Sequence, residues 1–258
     1  MDRLLAAERR QRIFSMLQNR NYKVSELSRE LGVSLVTVRR DLQELANEGL
    51  IKKVHGGAVA LRGTRGELSF HIRQDEHAPE KRAIGKLAAS LVNDGETLAI
   101  DAGTTTLEAA RHLVGKRISV VTSSVVVALE LARCEAHDVF MLAGRVRVPE
   151  YSTVGHLAEI SMSQFRVDKA FIAIAGLSLE NGLTDHDDQD AGVKKQMIKA
   201  ARQVILLADH SKFERVGFCY IGPIDQVHVV ITDRGAPQEV CAELIKRGIQ
   251  VLIADPQE

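Results

Sequence analysis

The chain reads as an α/β protein in two parts: a small N-terminal winged helix-turn-helix unit and a larger C-terminal α/β domain. Three observations predict this. A helix–turn–helix–hairpin pattern spans residues 24–58. From residue 97 onward, strand-like and helix-like segments alternate, the sign of a largely parallel sheet covered by helices. The charge is also divided: the 258-residue chain is formally neutral, yet residues 1–62 carry 12 Lys and Arg against 7 Asp and Glu, and the remainder carries 22 against 27. A basic head on an acidic body is the asymmetry expected when only one part meets a polyanion.

The apolar fraction of 45% and charged fraction of 26% are ordinary for a globular protein, and with no Trp the core must be mostly aliphatic. Cys134, Cys219 and Cys241 show no metal-ligand spacing and read as reduced, buried or half-buried thiols of a cytoplasmic protein. The first dozen residues are too charged for a signal peptide, and no apolar run approaches the ~18–20 residues of a membrane span. Neither a metal site nor a cofactor site is expected.

In the head, a first helix is predicted over residues 4–19, with Ile13, Met16 and Leu17 as its apolar stripe. A second starts near Ser25 as N-cap and turns Leu27 and Leu31 inward. Gly32-Val33 makes the sharp turn, where glycine allows a positive φ. Ser34 caps a third helix that ends before Gly49. Val38, Leu42 and Leu45 form its buried stripe. Val36, Arg40, Gln43 and Asn47 face the other way, flanked by Thr37 and Arg39. Such a face suits the major groove: Arg bonds guanine bidentately, Gln bonds adenine, and a Thr methyl touches thymine. Residues 50–54 and 58–61 form a hairpin around His55-Gly56-Gly57, and Lys52 and Lys53 on it would meet the DNA backbone. The DNA-binding candidates are Ser34, Val36, Thr37, Arg39, Arg40, Gln43, Lys52, Lys53 and His55. An amphipathic helix with two arginines is often merely solvated, and winged helices also serve as protein-interaction modules. The joint pattern of cap, face and basic wing favours DNA.

The run Thr37-Val38-Arg39-Arg40-Asp41-Leu42, then Glu48-Gly49 and His55-Gly56-Gly57-Ala58, strongly resembles the DeoR family of bacterial transcriptional regulators.

Residues 63–79 read as a polar linker with one sticky patch, Leu68-Ser69-Phe70. A helix over 80–92, with Ile84, Leu87, Ala88 and Leu91 inward, opens the body at residues 80–258. Strands are predicted at 97–101, 119–122, 139–142, 169–175, 204–208 and 227–232. Helices are predicted at 105–113, 125–132, 156–164, 190–202 and 237–247. Ligands bind beyond the carboxyl ends of strands in such sheets. There the chain places Asp101, Gly103, Thr104, Thr105 and Thr106, then Ser123 and Ser124, then Arg147, with Asp168 preceding the fourth strand and Lys212 following the fifth. A Gly-Thr-Thr turn often only caps a helix, Asp209 and Lys212 are readable as a surface pair, and residues 185–188 read as a solvated acidic loop rather than a metal site. Hydroxyls and charges at successive strand ends nevertheless point to one pocket for a phosphorylated polyol or sugar.

The resemblance extends through the body. Asp101 to Thr105, Thr122-Ser123-Ser124, Ala143-Gly144, Asp168 to Phe171, Gly182-Leu183-Thr184 and Asp209 to Phe213 look like the segments of the DeoR sugar-phosphate sensor domain, whose fold is similar to ribose-5-phosphate isomerase. Ser123 stands where the family usually has Asn, and Ala143 where it has Gly. The resemblance implies a sequence-specific regulator, in this family more often a repressor, of a carbohydrate uptake or catabolism operon. Its partners would be double-stranded operator DNA, a phosphorylated sugar or polyol, and further copies of itself as a homodimer or homotetramer, with no membrane. The rival reading is a sugar-phosphate isomerase-like enzyme fused to a DNA-binding head. That chemistry needs a base poised over the substrate carbon, and Asp101, Asp168 and Asp209 show no clear pairing.

Overall fold

The computed structural model describes residues 6–19, 22–47, 51–54, 56–60, 70–148 and 150–256. The chain divides into two compact units, residues 1–73 and 74–258.

The head contains α1 (Ala6–Asn19), β1 (Tyr22–Lys23), α2 (Val24–Leu31), α3 (Leu35–Asn47), β2 (Ile51–Val54) and β3 (Gly57–Ala60). β2 and β3 form the expected antiparallel hairpin, and the short β1 joins it on the β3 side. Ile13, Phe14, Leu17, Leu27, Val38, Leu42 and Leu45 make one apolar core. Gly32 closes α2 at φ 64°, where an L side chain would be strained. Ser25 does not cap α2. The helix begins one residue earlier, and the Lys23 backbone N–H donates to Glu26 Oε2 at 2.7 Å, so the acid three residues on serves as the capping group. Gly49, expected just past α3, lies outside the described residues. So do residues 63–69 of the expected linker. The rest of that stretch is not all connector, because α4 (Phe70–Asp75) forms there and Phe70 is buried.

The body contains, in order, α5 (Ala78–Ser90), β4 (Thr97–Ile100), α6 (Thr104–Arg111), β5 (Ile118–Thr122), α7 (Val125–Leu131), β6 (His137–Met141), β7 (Arg145–Arg147), β8 (Ser152–Val154), α8 (His156–Ser163), β9 (Val167–Ile172), β10 (Gly176–Ser178), β11 (Gly182–Asp185), α9 (Asp188–Ala200), β12 (Ala201–Leu207), β13 (Cys219–Gly222), β14 (Val229–Asp233), α10 (Gln238–Lys246) and β15 (Gln250–Ala254). Seven strands form a wholly parallel sheet in the order β15-β14-β12-β9-β4-β5-β6. Helices α8, α9 and α10 cover one face through Met162, Val193, Met197 and Leu244 over Ala170, Ile172 and Leu206. Helix α5 packs on α6 and against β12, β14 and β15. Both faces are buried, so central strands read as continuous apolar runs rather than alternations. The unpredicted pieces of the body are β15 at the edge of the large sheet, the β7–β8 hairpin and the antiparallel sheet β10-β11-β13.

The chain order reverses between β4 and β9. From β4 it winds outward through β5 to β6, and from β9 outward through β12 and β14 to β15. In open α/β sheets such a switch point leaves a crevice at the carboxyl ends of the strands.

The head carries a polar cross-link that its periodicity did not announce. Asp41, on α3, is only 3% exposed. It accepts two bonds from one guanidinium on α1, Arg9 Nε to Oδ2 at 2.6 Å and Arg9 Nη2 to Oδ1 at 3.0 Å. A bidentate pair fixes angle as well as distance, so α3 is held at one rotation against α1. Asp41→Ala should lower the stability of the head by about 1.5–3 kcal/mol, the range for hydrogen bonds to charged groups. Hydrogen exchange of the α3 amides measures it; protection equal to that of the parent would contradict the assignment.

Candidate functional site

Two sites emerge, one in each unit. In the head, the Ser34 hydroxyl accepts the Thr37 N–H at 3.1 Å and so caps α3. That cap leaves the first turn open outward: Val36 is 73% exposed, Arg39, Arg40 and Gln43 are exposed, and Thr37 is half-buried. Gln43 Nε2 donates to Asn47 Oδ1 at 2.7 Å, and Lys53 Nζ donates to Gln43 Oε1. Lys53 thus ties the hairpin to the face it flanks, and Gln43 must exchange these partners to bond anything else. The side chain of Lys52, and all of His55, lie outside the described residues. One contributor was missed in the sequence. Arg10, on α1, lines a groove of about 510 Å³ together with Val36, Thr37 and Arg40. It belongs to a helix read only for its apolar stripe.

In the body, Asp101 ends β4 at the switch point and is 2% exposed. Its Oδ2 accepts the Ala173 N–H beyond β9 at 3.0 Å and also accepts from Lys194 Nζ on α9. Lys194 reaches Asp185 Oδ2 at 3.4 Å as well. One turn earlier on α9, Asp190 accepts from Arg147 Nε and, at 2.7 Å, from the Ser152 hydroxyl. Asp187 caps α9, accepting from the Gln189 N–H at 2.9 Å. The acidic stretch expected as a solvated loop is therefore partly interior. Asp185 is 7% exposed and pairs with Lys194, while Asp187 holds a helix end.

Burial pushes the Asp101 carboxyl up to about 6, an effect only partly offset by Lys194. Burial would lower the Lys194 ammonium, but Asp101, Asp185 and Asp190 together raise it above its ordinary value. At neutral pH the pair is an ion pair.

The remaining residues divide by what their side chains already do. Gly103 allows close approach: a Cβ there would stand 2.6 Å from Ala173 Cβ. Thr104 and Thr105 open α6 and are 5% exposed. The Thr106 hydroxyl donates to the Asp101 carbonyl at 2.7 Å and closes the turn itself. Ser123 is buried behind β5, and the Ser124 hydroxyl caps α7 by accepting the Val127 N–H at 3.3 Å. Arg147 is 9% exposed and spends charge on Asp190. Lys212 follows β12 at the same rim. There Asp209 accepts the Ser211 N–H at 2.9 Å, and burial, which would raise its carboxyl, is outweighed by Lys212, Ser211 and Lys81, so it lies below its usual value.

Asp168 does not belong with them. It stands at the amino-terminal end of β9 and accepts from the Thr97 N–H at 3.0 Å and the Thr97 hydroxyl at 2.8 Å. Thr97 begins β4, so this carboxylate pins two strand starts together, at the opposite end of the sheet from Asp101. Lys194 and Asp190 were missed. Their i, i+4 spacing on the expected helix is the available signal.

Two domain profiles match the chain: a DeoR-like helix-turn-helix domain over residues 9–64, and a DeoR C terminal sensor domain over residues 76–234. The chain is 36% identical over 233 residues to the uncharacterized HTH-type transcriptional regulator YulB of Bacillus subtilis (strain 168), covering 90% of each chain. It is 34% identical over 241 residues to the HTH-type transcriptional repressor GlcR of the same organism, covering 93% of each. Among solved structures, ribose 5 phosphate isomerase A from Neisseria gonorrhoeae aligns at 19% identity over 52% of each chain, with a TM-score of 0.35.

Lys194→Met should destabilise the body by roughly 3–5 kcal/mol, because it strands a buried carboxylate. Adding Asp101→Asn should recover part of that loss, since the stranded charge goes with it. Urea unfolding of the three variants forms the cycle, and strictly additive losses would contradict the pairing.

Proposed function

The chain belongs to the DeoR family of transcriptional regulators, a helix-turn-helix domain joined to a sensor domain, and on that premise we propose that it represses a carbohydrate uptake or catabolism operon in answer to a phosphorylated sugar or polyol. The observation that carries this reading is the meeting of Asp101, Gly103, Thr104, Thr105 and Lys194 at the switch point of a parallel sheet. Unpaired N–H groups at the start of α6 favour a phosphate, and Gly103 lets it approach the backbone. Asp101 and the Ser123 hydroxyl offer partners for sugar hydroxyls, and Lys212 offers a cation at the same rim.

In the head, α3 lies in the major groove with Arg39 and Arg40 toward base edges, joined by Val36, Thr37 and, once released, Gln43. Lys52, Lys53 and His55 accompany the hairpin along the phosphates, which adds affinity without sequence reading. Copies pair through the body as a homodimer or homotetramer, so operator half-sites fall whole helical turns apart. The effector moves the equilibrium only by binding one arrangement of the paired subunits better than the other.

The protein is not an enzyme in this reading. Asp101 Oδ2 is engaged by Lys194 and the Ala173 N–H, and the carboxylate serves in this reading as an acceptor for sugar hydroxyls rather than as a base poised over the substrate carbon. Turnover of a pentose or hexose phosphate by the purified chain would reverse that. The protein works in the cytoplasm, where its operator is. None of the described helices is long and apolar enough to cross a membrane.

Arg39→Ala and Arg40→Ala should each weaken operator binding, by about 1–3 kcal/mol where the arginine reads a base. Fluorescence anisotropy with an operator duplex measures both, and parental affinity in both variants would remove α3 from the groove.

Effector binding should also depend on pH. With its carboxyl at about 6, Asp101 takes up a proton as pH falls through that value and stops accepting from ligand and Lys194 alike. The effector's phosphate ionises in the same range, near 6. The comparison with Asp101→Asn therefore isolates the residue: below pH 6 the parent's log Kd should change more steeply, by about one unit per pH unit. Equal slopes would contradict the role. The fold responds in the opposite sense. A carboxyl raised from 3.8 to about 6 contributes stability that is fully present below 3.8 and is lost as pH rises through 6.

A further inference from the structure

We infer that Lys81 is a second effector-binding cation, and that through it the first turn of α5 reads whether the site is occupied. The inference deepens the proposed sugar-phosphate reading and rests on it.

Lys81 is 3% exposed, one turn into α5. Burying an ammonium in a helix face is costly unless something there needs its charge. The topology says where the charge lies. Helix α5 leads into the amino end of β4, and α6 leaves the carboxyl end of β4 for the amino end of the parallel β5. Both helices therefore start at the carboxyl rim and run side by side in the same direction. They touch at Gly85, where a Cβ would stand 2.6 Å from the Ala109 nitrogen. One turn back from each contact residue lie Lys81 and Thr105. The buried ammonium is thus level with the opening turn of α6, where the proposed phosphate sits.

A second observation points to a ligand. Asp209 is fully buried, and its Oδ1 accepts the Ser211 N–H at 2.9 Å. Its Oδ2 is buried with no hydrogen-bond partner among the described residues. A buried acceptor left unmatched costs about 1–3 kcal/mol, so a partner that arrives with the ligand accounts for it. Lys81 and Lys212 both act on this carboxylate. Two cations beside one open acceptor fit a molecule carrying both an anionic group and a hydroxyl, which is the chemistry of a sugar phosphate. Neither a plain sugar nor inorganic phosphate satisfies both.

The first turn of α5 touches the same loop a second time. His77, which precedes the helix at φ 51°, has its ring 4.6 Å from that of His210. The His210 backbone N–H in turn donates to Asp233 Oδ1 at 2.7 Å. Helix α5 is the first long helix of the body after the division at residue 73. Ligand contact at Lys81 therefore acts on the stretch of chain that arrives from the head.

The test is thermal stabilisation of the full chain, titrated with glucose 6-phosphate, fructose 1-phosphate, ribose 5-phosphate, glycerol 3-phosphate, inorganic phosphate and the unphosphorylated sugars. For whichever phosphorylated compound stabilises the parent, Lys81→Gln should raise the apparent Kd at least tenfold. The variant's weaker response to the matching unphosphorylated sugar, and its operator affinity without ligand, should stay within twofold of the parent. A Kd for the phosphorylated compound within twofold of the parent's overturns the inference. If Lys81→Gln does not fold, Lys81→Arg keeps the charge but moves it, and it should shift the Kd at least fivefold; an unchanged Kd there overturns the inference equally. A parent that responds to none of the phosphorylated compounds overturns the sugar-phosphate reading itself, and this inference with it.

Discussion

The body of this protein is organised around a buried ion pair, Lys194 on α9 with Asp101 at the end of β4. Neither charge can be removed alone without stranding the other in a region almost closed to water. The pair is also a splice. Asp101 holds the Ala173 backbone beyond β9, and Lys194 holds Asp185 at the end of β11. Three strand ends and one helix are thereby tied at the point where the sheet reverses its winding. Gly103 fits beside Ala173 only because it lacks a Cβ, so the loop that opens α6 is shaped by the same constraint. A crevice of fixed form at the switch point follows from these few contacts.

The head applies the same device on a smaller scale. Asp41 lies next to Leu42 in the buried stripe of α3, yet it serves Arg9 on α1 rather than any outside partner. Fixing α3 in rotation is what allows Arg39 and Arg40 to be presented together on the exposed side. In both units a charged residue that looks available from its surroundings in sequence is committed to holding a functional element in place. The groups left free to act stand beside it.

Much of this was legible in the sequence where the cause is local. Ser34 as a cap, Gly32 as a left-handed turn, and Val38, Leu42 and Leu45 as one stripe all follow from spacing within a turn or two. The parallel sheet was legible as alternation. What escaped depends on partners far apart in the chain. Arg9 and Asp41 are 32 residues apart, and Asp101 and Lys194 are 93 apart. Asp168 went astray for a related reason. It is the second residue of β9, and strand direction puts it at the far end of the sheet from Asp101. The strands that went unread were short or peripheral, such as Arg145–Arg147 and Gly176–Ser178, too brief to show a period.

The central claim is that one molecule couples a base-reading helix to a sugar-phosphate site through differential affinity. The most direct measurement is anisotropy of a labelled operator duplex with the full chain, titrated with a phosphorylated sugar and, separately, with the same sugar lacking its phosphate. The account predicts tight, salt-sensitive operator binding that the phosphorylated form weakens at least tenfold while the unphosphorylated form leaves it unchanged. Operator affinity indifferent to every phosphorylated sugar, or shifted equally by the two forms, would contradict it.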